Sequence, residues 1–538
     1  MKKHVKTSVA VLLFFVALAA GLAAGALLPR TNTLLGTNSS SRRNFALRKL
    51  NYAMDLVENL YVDSFSYDTL VDNTLSTLLF SLDPHSAYYS AEELKHSSEE
   101  LSGHIEGIGA LLRQKDDTVR ILQVMPGGPA SHSDLQPGDK IIAVDGKTVA
   151  GVNMSIEDVI KKIKGRTMTH VTLTIMRYGT REPRNINLKR NAVNTPSVLF
   201  RGMLTDTIGY IGLSSFTMTS HDEFCDAVKT LKQKGMRHLV LDLRNNGGGL
   251  MSAATSIADE LLPGKELIVY TQGAHQPRED IRSTPGGLFG QGGVTVMINE
   301  ASASASEIVS GAVQDNDRGS IVGRRSFGKG LVQSQYPLPD HSALHLTTAR
   351  YYTPSGRCIQ RSYEKGTQAY MMDYILRLYD TQQGDTLPPH PNDTTRYYTR
   401  KGRVVYGGGG ITPDHQLHIF TDSALIYFNK MNEKALLDNV ALQFVERNYA
   451  ALKKHYPTEN DFVKRFTTPD ALSRQLLHEA DKAGLMRDPA TLAKYGSYIR
   501  LTIKARIATS LYGSAANARI LLSEDKELEE TLMLITKR

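Results

Sequence analysis

LVLDLRNNGGGL, residues 239–250, decides the fold. Its opening run, Leu239–Leu243, is apolar except for Asp242, the pattern of a strand buried on both faces. It ends in Asn245, Asn246 and three glycines. Adjacent glycine N–H groups after a strand can form an anion-binding nest suited to an oxyanion; a phosphate loop and a plain tight turn stay open beside that use. Upstream, Ile208–Leu213 reads as another strand. Ser220-x-x-Glu223 has the spacing of a capping box, followed by Phe224, Val228 and Leu231 on one helical face, with Gly235 as the stop. Downstream, Val294–Ile298 repeats the apolar strand. From about residue 198 to 350 strands and helices alternate, which implies an α/β core.

Other segments follow different rhythms. In residues 103–190 short apolar runs alternate with turn signals. Val171, Leu173 and Ile175 mark a half-buried strand. Ile156, Val159, Ile160 and Ile163 share a helical face, with Ser155 as N-cap and Gly165 as stop. Leu50, Met54, Val57 and Tyr61 give a helical face near the N-terminus, after a polar linker at 31–41. A short helix is expected over Thr69–Leu79, a turn over Ser81–Ser90, and another helix from Ala91. Residues 363–405 are polar and tyrosine-rich and read as an insertion or mobile segment. Beyond Thr421 the pattern is helical, with Thr468-Pro469 and Asp488-Pro489 as N-cap and N1 pairs. An oligomer or adaptor contact and a solvated extension are equally open for that tail.

The 538 residues suggest three or four domains at roughly 150 residues each. With 41% hydrophobic and 22% charged residues, the chain is not mainly disordered, collagen-like or a polytopic membrane protein. The net charge of +8 is spread out, without an arginine-rich run, so no nucleic-acid surface is expected. Three of the positive charges, Lys2, Lys3 and Lys6, precede an uncharged run of 20 residues, Val9–Leu28. That length suits one membrane-spanning helix more than a cleaved signal. A single-pass inner-membrane protein with the rest of its chain in the periplasm is the resulting expectation. Cys225 and Cys358 are the only cysteines. They cannot form a tetrahedral zinc site alone, and no C-x-x-C or H-E-x-x-H motif occurs. An oxidising compartment permits a disulfide between them, though Cys225 on a helix flank reads better as a small packed residue.

Three segments can carry chemistry. NEASASASEIVSGAVQD, residues 299–315, follows a strand and opens a helix, so a serine there sits at the positive end of the helix dipole. A tightly packed Ser/Ala loop explains the spacing equally well. SFGKGLVQ, residues 326–333, places Lys329 between two glycines. A lysine buried without a carboxylate partner loses its proton more readily and can act as a base; a surface turn is the plainer reading. The third segment is the glycine run itself. No G-x-S-x-G elbow accompanies His85, His341 or His345.

Jointly and in order, these segments resemble the carboxyl-terminal processing peptidases, tail-specific serine proteases with a Ser/Lys dyad. The likeness spans residues 45–361 and 406–414 and includes DPHSAY (83–88), GIGALL (107–112), PGGPASHSDLQPGDKIIAVDG (126–146), LTTARYYTPSGRCIQ (346–360) and GITPD (410–414). It implies Ser304 as nucleophile, Lys329 as general base and Gln333 as the residue orienting it. Backbone N–H groups of Ala305 and of Gly248 or Gly249 would hold the oxyanion. Gly247 stands where the family usually has proline. Residues 103–190 resemble a PDZ domain, with Gly107, Ile108 and Gly109 in the carboxylate loop and Arg177 as a link to the active site. The implied fold is multidomain α+β: a PDZ domain before a crotonase-like α/β core, between helical N- and C-terminal regions. The implied division is 1–30 signal-anchor, 31–102 helical region, 103–190 PDZ, 191–362 with 406–420 protease core, 363–405 insertion and 421–538 helical extension. The partners implied are polypeptide C-terminal tails of exported proteins, with no metal or organic cofactor.

Overall fold

The computed structural model describes residues 37–382, 395–417, 423–486 and 489–537. The chain forms two compact units, residues 1–74 and residues 75–538. In the first, a helix spans Thr37–Leu60 and so begins inside the stretch expected as a linker. Serine and asparagine disfavour a helix by less than about 0.7 kcal/mol each, too little to stop propagation from the stronger formers that follow. Leu50, on the face read from the spacing, is exposed.

The membrane placement is corrected. Among the described residues no helix is long and apolar enough to cross a membrane, so single-pass inner-membrane anchoring has no support. Every long helix carries charge along its length, as Thr37–Leu60 does at Arg42, Arg43, Arg48, Lys49, Asp55 and Glu58. The run Val9–Leu28, on which the expectation rested, lies outside the described residues.

The larger unit is centred on a six-stranded sheet in the order Val198–Met203, Ile208–Leu213, His238–Asp242, Gly293–Ile298, Ser320–Gly323, His415–Gln416. The first pair is antiparallel and the others parallel. Ile208–Leu213 is buried at every position, and Leu239, Val240 and Leu241 have no exposed surface. Burial on that scale stabilises by about 1.5–3 kcal/mol per large aliphatic side chain. The helices Ser220–Gln233, Met251–Leu261 and Ala305–Asp315 pack on this sheet. Phe224, Val228 and Leu231 face inward as expected. The capping box does not form, because the N-cap is Thr219. Glu223 accepts from the Thr219 hydroxyl at 2.7 Å and from the N–H groups of Ser197 and Val198 at 2.8 and 2.9 Å. The carboxylate therefore serves donors at the start of a neighbouring strand.

A second sheet adjoins the SFGKGLVQ segment. Ala343–Tyr352 pairs with Leu331–Pro337, Leu267–Gln272 and Ala87–Tyr89. The last of these strands lies within the segment expected as a turn. In residues 104–194 the ends close on each other, His104–Gly107 against Asn191–Asn194. Between them lies an antiparallel sheet whose edge strand is Ala110–Lys115, bonded on one side to Thr118–Val124. The helix Ile156–Ile163 starts at Ser155 and stops at Lys164, one residue before Gly165.

The segment read as an insertion holds a helix, Thr367–Gln382, with Tyr370 and Arg377 buried. The tail is helical and has its own core around Leu437, Val440, Val445, Phe462 and Ile503. Pro469 is itself the N-cap of Asp470–Lys482, one place later than expected, since Thr468 turns its hydroxyl to Arg500 O at 2.8 Å. The tail braces two neighbours. Arg113 and Arg120, directly opposite each other on paired strands, meet Asp438 at 2.8 Å and Glu446 at 2.9 Å on the helix Leu436–His455. Arg244, just after the central strand, meets Asp525 at 2.6 Å and Glu527 at 2.8 Å.

Glu446→Ala strands the mostly buried Arg120 guanidinium. Removing one member of such a pair costs about 3–5 kcal/mol when burial is complete, and somewhat less at this partial exposure. Faster amide exchange in Thr118–Val124 is the expected outcome, while a paired Arg120→Met/Glu446→Leu exchange keeps protection.

Candidate active site

The turn from Ile298 into the helix Ala305–Asp315 is fixed by side chains. Ser302 donates its hydroxyl to Leu243 O at 2.7 Å, and Ser306 donates to Asn246 O at 2.8 Å. Asn245 and Asn299 bond reciprocally: Asn245 N–H to Asn299 Oδ1 and Asn299 Nδ2 to Asn245 Oδ1, each 2.9 Å. The two asparagines of the opening segment thus latch the serine turn. Of the three serines in ASASAS, the outer two are buried and committed to carbonyls, while Ser304 is only partly buried. Ser304 has φ 55°, a left-handed conformation that costs a non-glycine residue about 1–2 kcal/mol.

Glu307 holds this strained residue. Its carboxylate is fully buried and collects four donors from two loops. One oxygen accepts from Ser304 N at 2.8 Å and Lys329 N at 2.9 Å. The other accepts from the Ser326 hydroxyl at 2.5 Å and Gly328 N at 2.7 Å. Burial pushes the Glu307 pKa up, against the pull of these bonds. Tyr351 closes the arrangement on the carbonyl side: its hydroxyl donates to Ser304 O at 3.1 Å and also to Lys329 O. The main chains at Ser304 and Lys329 are therefore joined twice, once through their N–H groups and once through their carbonyls.

Burial lowers the Lys329 pKa from its ordinary value, more than nearby Glu307 and Asp83 raise it. The same surroundings, with burial foremost and Lys329 next, push His85 down to about 4. His85 is thus neutral near pH 7, and its Nε2 lies 3.0 Å from the Tyr370 hydroxyl. Gly328 has φ 91°, and a Cβ there would meet Arg361 Cγ at 2.6 Å. Arg361 lies over the rings of Phe327 and Tyr370, at 4.5 and 4.0 Å. Arg377 donates to the carbonyls of Ser326 and Phe327 at 3.0 and 3.2 Å. The Thr367–Gln382 helix therefore braces the lysine loop. Gln333 lies beside a bulge and donates to Thr347 Oγ1 at 3.4 Å; Thr347 N in turn donates to Ser86 Oγ at 3.0 Å.

Ala305 is the first residue of its helix, so its N–H has no acceptor within the helix. Gly248 touches the serine: a Cβ on it would lie 2.8 Å from both Ser304 Cβ and Ala303 O. The Gly248 N–H donates to Asn246 Oδ1 at 2.9 Å. Gly249 bridges to Phe216 with φ 139°. Gly107 ends a strand; Ile108 is buried with its carbonyl on Ala130 N–H at 2.7 Å, and Gly109 has φ 73°. Arg177 is not brought to Ser304. Its guanidinium makes two bonds to Asp139, at 2.8 and 2.9 Å, and two more to Asp134. Both cysteines are free thiols, and burial with Glu260 pushes Cys225 up to about 12.

Sequence reading missed Glu307, Tyr351 and the bracing arginines. The Glu307 signal was present: Ser304-x-x-Glu307 has the spacing of an N-terminal cap. Nothing in the residue type marks Tyr351.

Comparison with known proteins fits this geometry. A model described as peptidase family S41 matches residues 207–369, and a PDZ domain model matches residues 120–177. Residues 427–513 match a family of unknown function. The carboxy-terminal-processing protease of Bartonella bacilliformis is 35% identical over 60% of this chain and 75% of its own length. The carboxy-terminal processing protease CtpA of Bacillus subtilis is 31% identical over 70% of this chain and 80% of its own. Among solved structures, the photosystem II D1 C-terminal processing protease is 25% identical, covering 69% of this chain and 86% of its own, with a TM-score of 0.34. The class is serine-type peptidase with a PDZ domain. The chain belongs to the carboxy-terminal processing proteases of family S41.

Glu307→Gln turns an amide N–H2 toward at least one backbone N–H, whichever way the side chain lies. Misplacing reacting groups by about 1 Å costs on the order of 100-fold. Peptidase kcat is expected to fall by that much, with thermal melting used to confirm that the variant stays folded.

Proposed function

We propose that this protease cleaves polypeptides bound by their C-terminal tails, with Ser304 as nucleophile and Lys329 as general base. The observation that carries this reading is the double tie of Ser304 and Lys329 through Glu307 and Tyr351. Neutral Lys329 takes the Ser304 proton as the hydroxyl oxygen attacks the scissile carbonyl. The oxyanion forms beside Ala305 N–H and the glycine run. Gly249 is the better second donor, since the Gly248 N–H is already held by Asn246. One such donor supplies about 2.7–4 kcal/mol of barrier lowering. Protonated Lys329 then gives its proton to the leaving amine, and water hydrolyses the acyl-enzyme by the same route. Gln333 acts through Thr347 and Ser86, keeping the lysine side chain directed from the neighbouring strand.

The tail is received by the segment 103–190. Its edge strand Ala110–Lys115 offers backbone groups for an added strand, and the loop Gly107–Gly109 before it takes the terminal carboxylate. Arg177 fixes the shape of that domain through Asp139. The domain division implied by the resemblance, and a crotonase-like arrangement of the core around residues 191–362 and 406–420, belong to the same reading. The basis for exported substrates, the run Val9–Leu28, lies outside the described residues and supports no part of it.

Ser304→Ala is expected to abolish cleavage and keep tail binding; retained hydrolysis overturns the assignment. Lys329→Arg is expected to be inactive, because a guanidinium does not deprotonate. The base must be neutral, and burial lowers its pKa, so kcat/KM rises with pH along an acid limb centred below 10.5. A limb centred at or above that value removes Lys329 from the role. A peptide ending in a carboxamide is expected to bind at least about tenfold more weakly than its free acid, read by calorimetry on the Ser304→Ala protein.

A further inference from the structure

Away from Ser304, three metal-ligating atoms of different kinds meet between two helices. His221 and Cys225, four residues apart, lie on one face of the helix Ser220–Gln233. Glu260 faces them from the helix Met251–Leu261. Nε2 of His221 is 3.0 Å from Glu260 Oε1 and 3.3 Å from Cys225 Sγ, and Sγ is 3.5 Å from Oε1. A tetrahedral zinc ion with bonds of about 2.0–2.3 Å holds its ligand atoms about 3.3–3.6 Å apart, so the three atoms already outline one face of such a site. An outer contact orients one of them. Glu260 Oε2 accepts from Leu288 N at 2.7 Å, which turns Oε1 toward the pair. Asp222 lies 3.7 Å from the other imidazole nitrogen, beyond hydrogen-bond length. The Cys225 residue is buried, while His221 and Glu260 are partly exposed, which leaves a path for an ion and a fourth, water ligand.

We propose that His221, Cys225 and Glu260 form a binding site for one zinc-class divalent cation, separate from the catalytic centre. The thiolate, imidazole and carboxylate set suits a borderline-soft ion over magnesium or calcium. Binding forms the sulfur–metal bond and releases the thiol proton to solvent. The site is a structural clip. The first helix follows Phe216, whose N–H donates to Gly248 O at 2.9 Å and whose carbonyl accepts from Leu250 N at 2.8 Å. The second helix begins directly after Leu250. An ion joining the helices therefore stiffens both segments that hold the glycine run.

Cobalt(II) added to the metal-free full chain tests this. One ion per chain is expected, with a thiolate-to-cobalt absorption band in the near ultraviolet that zinc(II) displaces. Cys225→Ser and His221→Ala are expected to weaken binding by more than the roughly 10- to 100-fold typical of losing an outer partner, whereas Cys358→Ser keeps it. Circular dichroism establishes that each variant is folded. Independently of any variant, zinc(II) is expected to slow alkylation of Cys225, located by peptide mapping, and to raise the melting temperature of the wild-type chain. Absence of the band, its survival in Cys225→Ser, or an unchanged alkylation rate at Cys225 overturns the site.

Discussion

The carboxylate of Glu307 accepts hydrogen bonds from the N–H groups of Ser304, Gly328 and Lys329 and from the Ser326 hydroxyl, with no exposure to water. Those donors come from two strand-to-helix and strand-to-strand connections far apart in sequence. An isolated buried charge is costly, and four donors aimed at it offset much of that penalty. The same bonds fix where the two loops sit. The left-handed conformation of Ser304 persists because its N–H and carbonyl are both held, by Glu307 and by Tyr351. Strain at Ser304 and desolvation at the carboxylate are thus compensated by one set of contacts.

That arrangement also separates two electrostatic demands. On the proposed reading, Lys329 must stay near enough to Ser304 to exchange a proton, yet must be easy to deprotonate. Glu307 acts against the second demand by its charge, and burial outweighs it. The carboxylate faces the lysine main chain through Lys329 N–H, so its hydrogen-bonding capacity is used by the backbone. His85, kept neutral by burial and by the lysine, adds no competing charge near pH 7. Arg377 on the Thr367–Gln382 helix holds a carbonyl of the lysine loop, and Arg361, ahead of that helix, lies over the Phe327 ring.

Much of the core was legible because its pattern is local. The unbroken burial of Leu239–Leu241 and the inward face Phe224, Val228, Leu231 follow directly from residue order. Ser304 and Lys329 were named through the family likeness, and their loops share the Glu307 carboxylate. What local order could not reveal was where long side chains would go. Glu223 had the spacing to cap its own helix and instead serves Ser197 and Val198, 26 and 25 residues back. Glu307 likewise reaches beyond its own turn to residues 326–329. The segment 363–405 read as an insertion or mobile segment from its polarity, because the contacts of its Tyr370 and Arg377 lie on Phe327 of the lysine loop. Arg177 was named by its position in the family, and local order did not reveal its partners Asp139 and Asp134.

Arg113 and Arg120 face Asp438 and Glu446 across a boundary between parts of the chain that look modular. The two arginines sit side by side on adjacent strands, and the two acids sit eight residues apart on one helix, so register on one side is matched to register on the other. Exchange of peptide-binding domains between relatives is accordingly constrained. A graft spanning 103–190 without a matching 421–538 brings the tail's acids against whatever side chains the newcomer presents. Inheritance of the receiving domain and the helical tail as one block follows from that charge register.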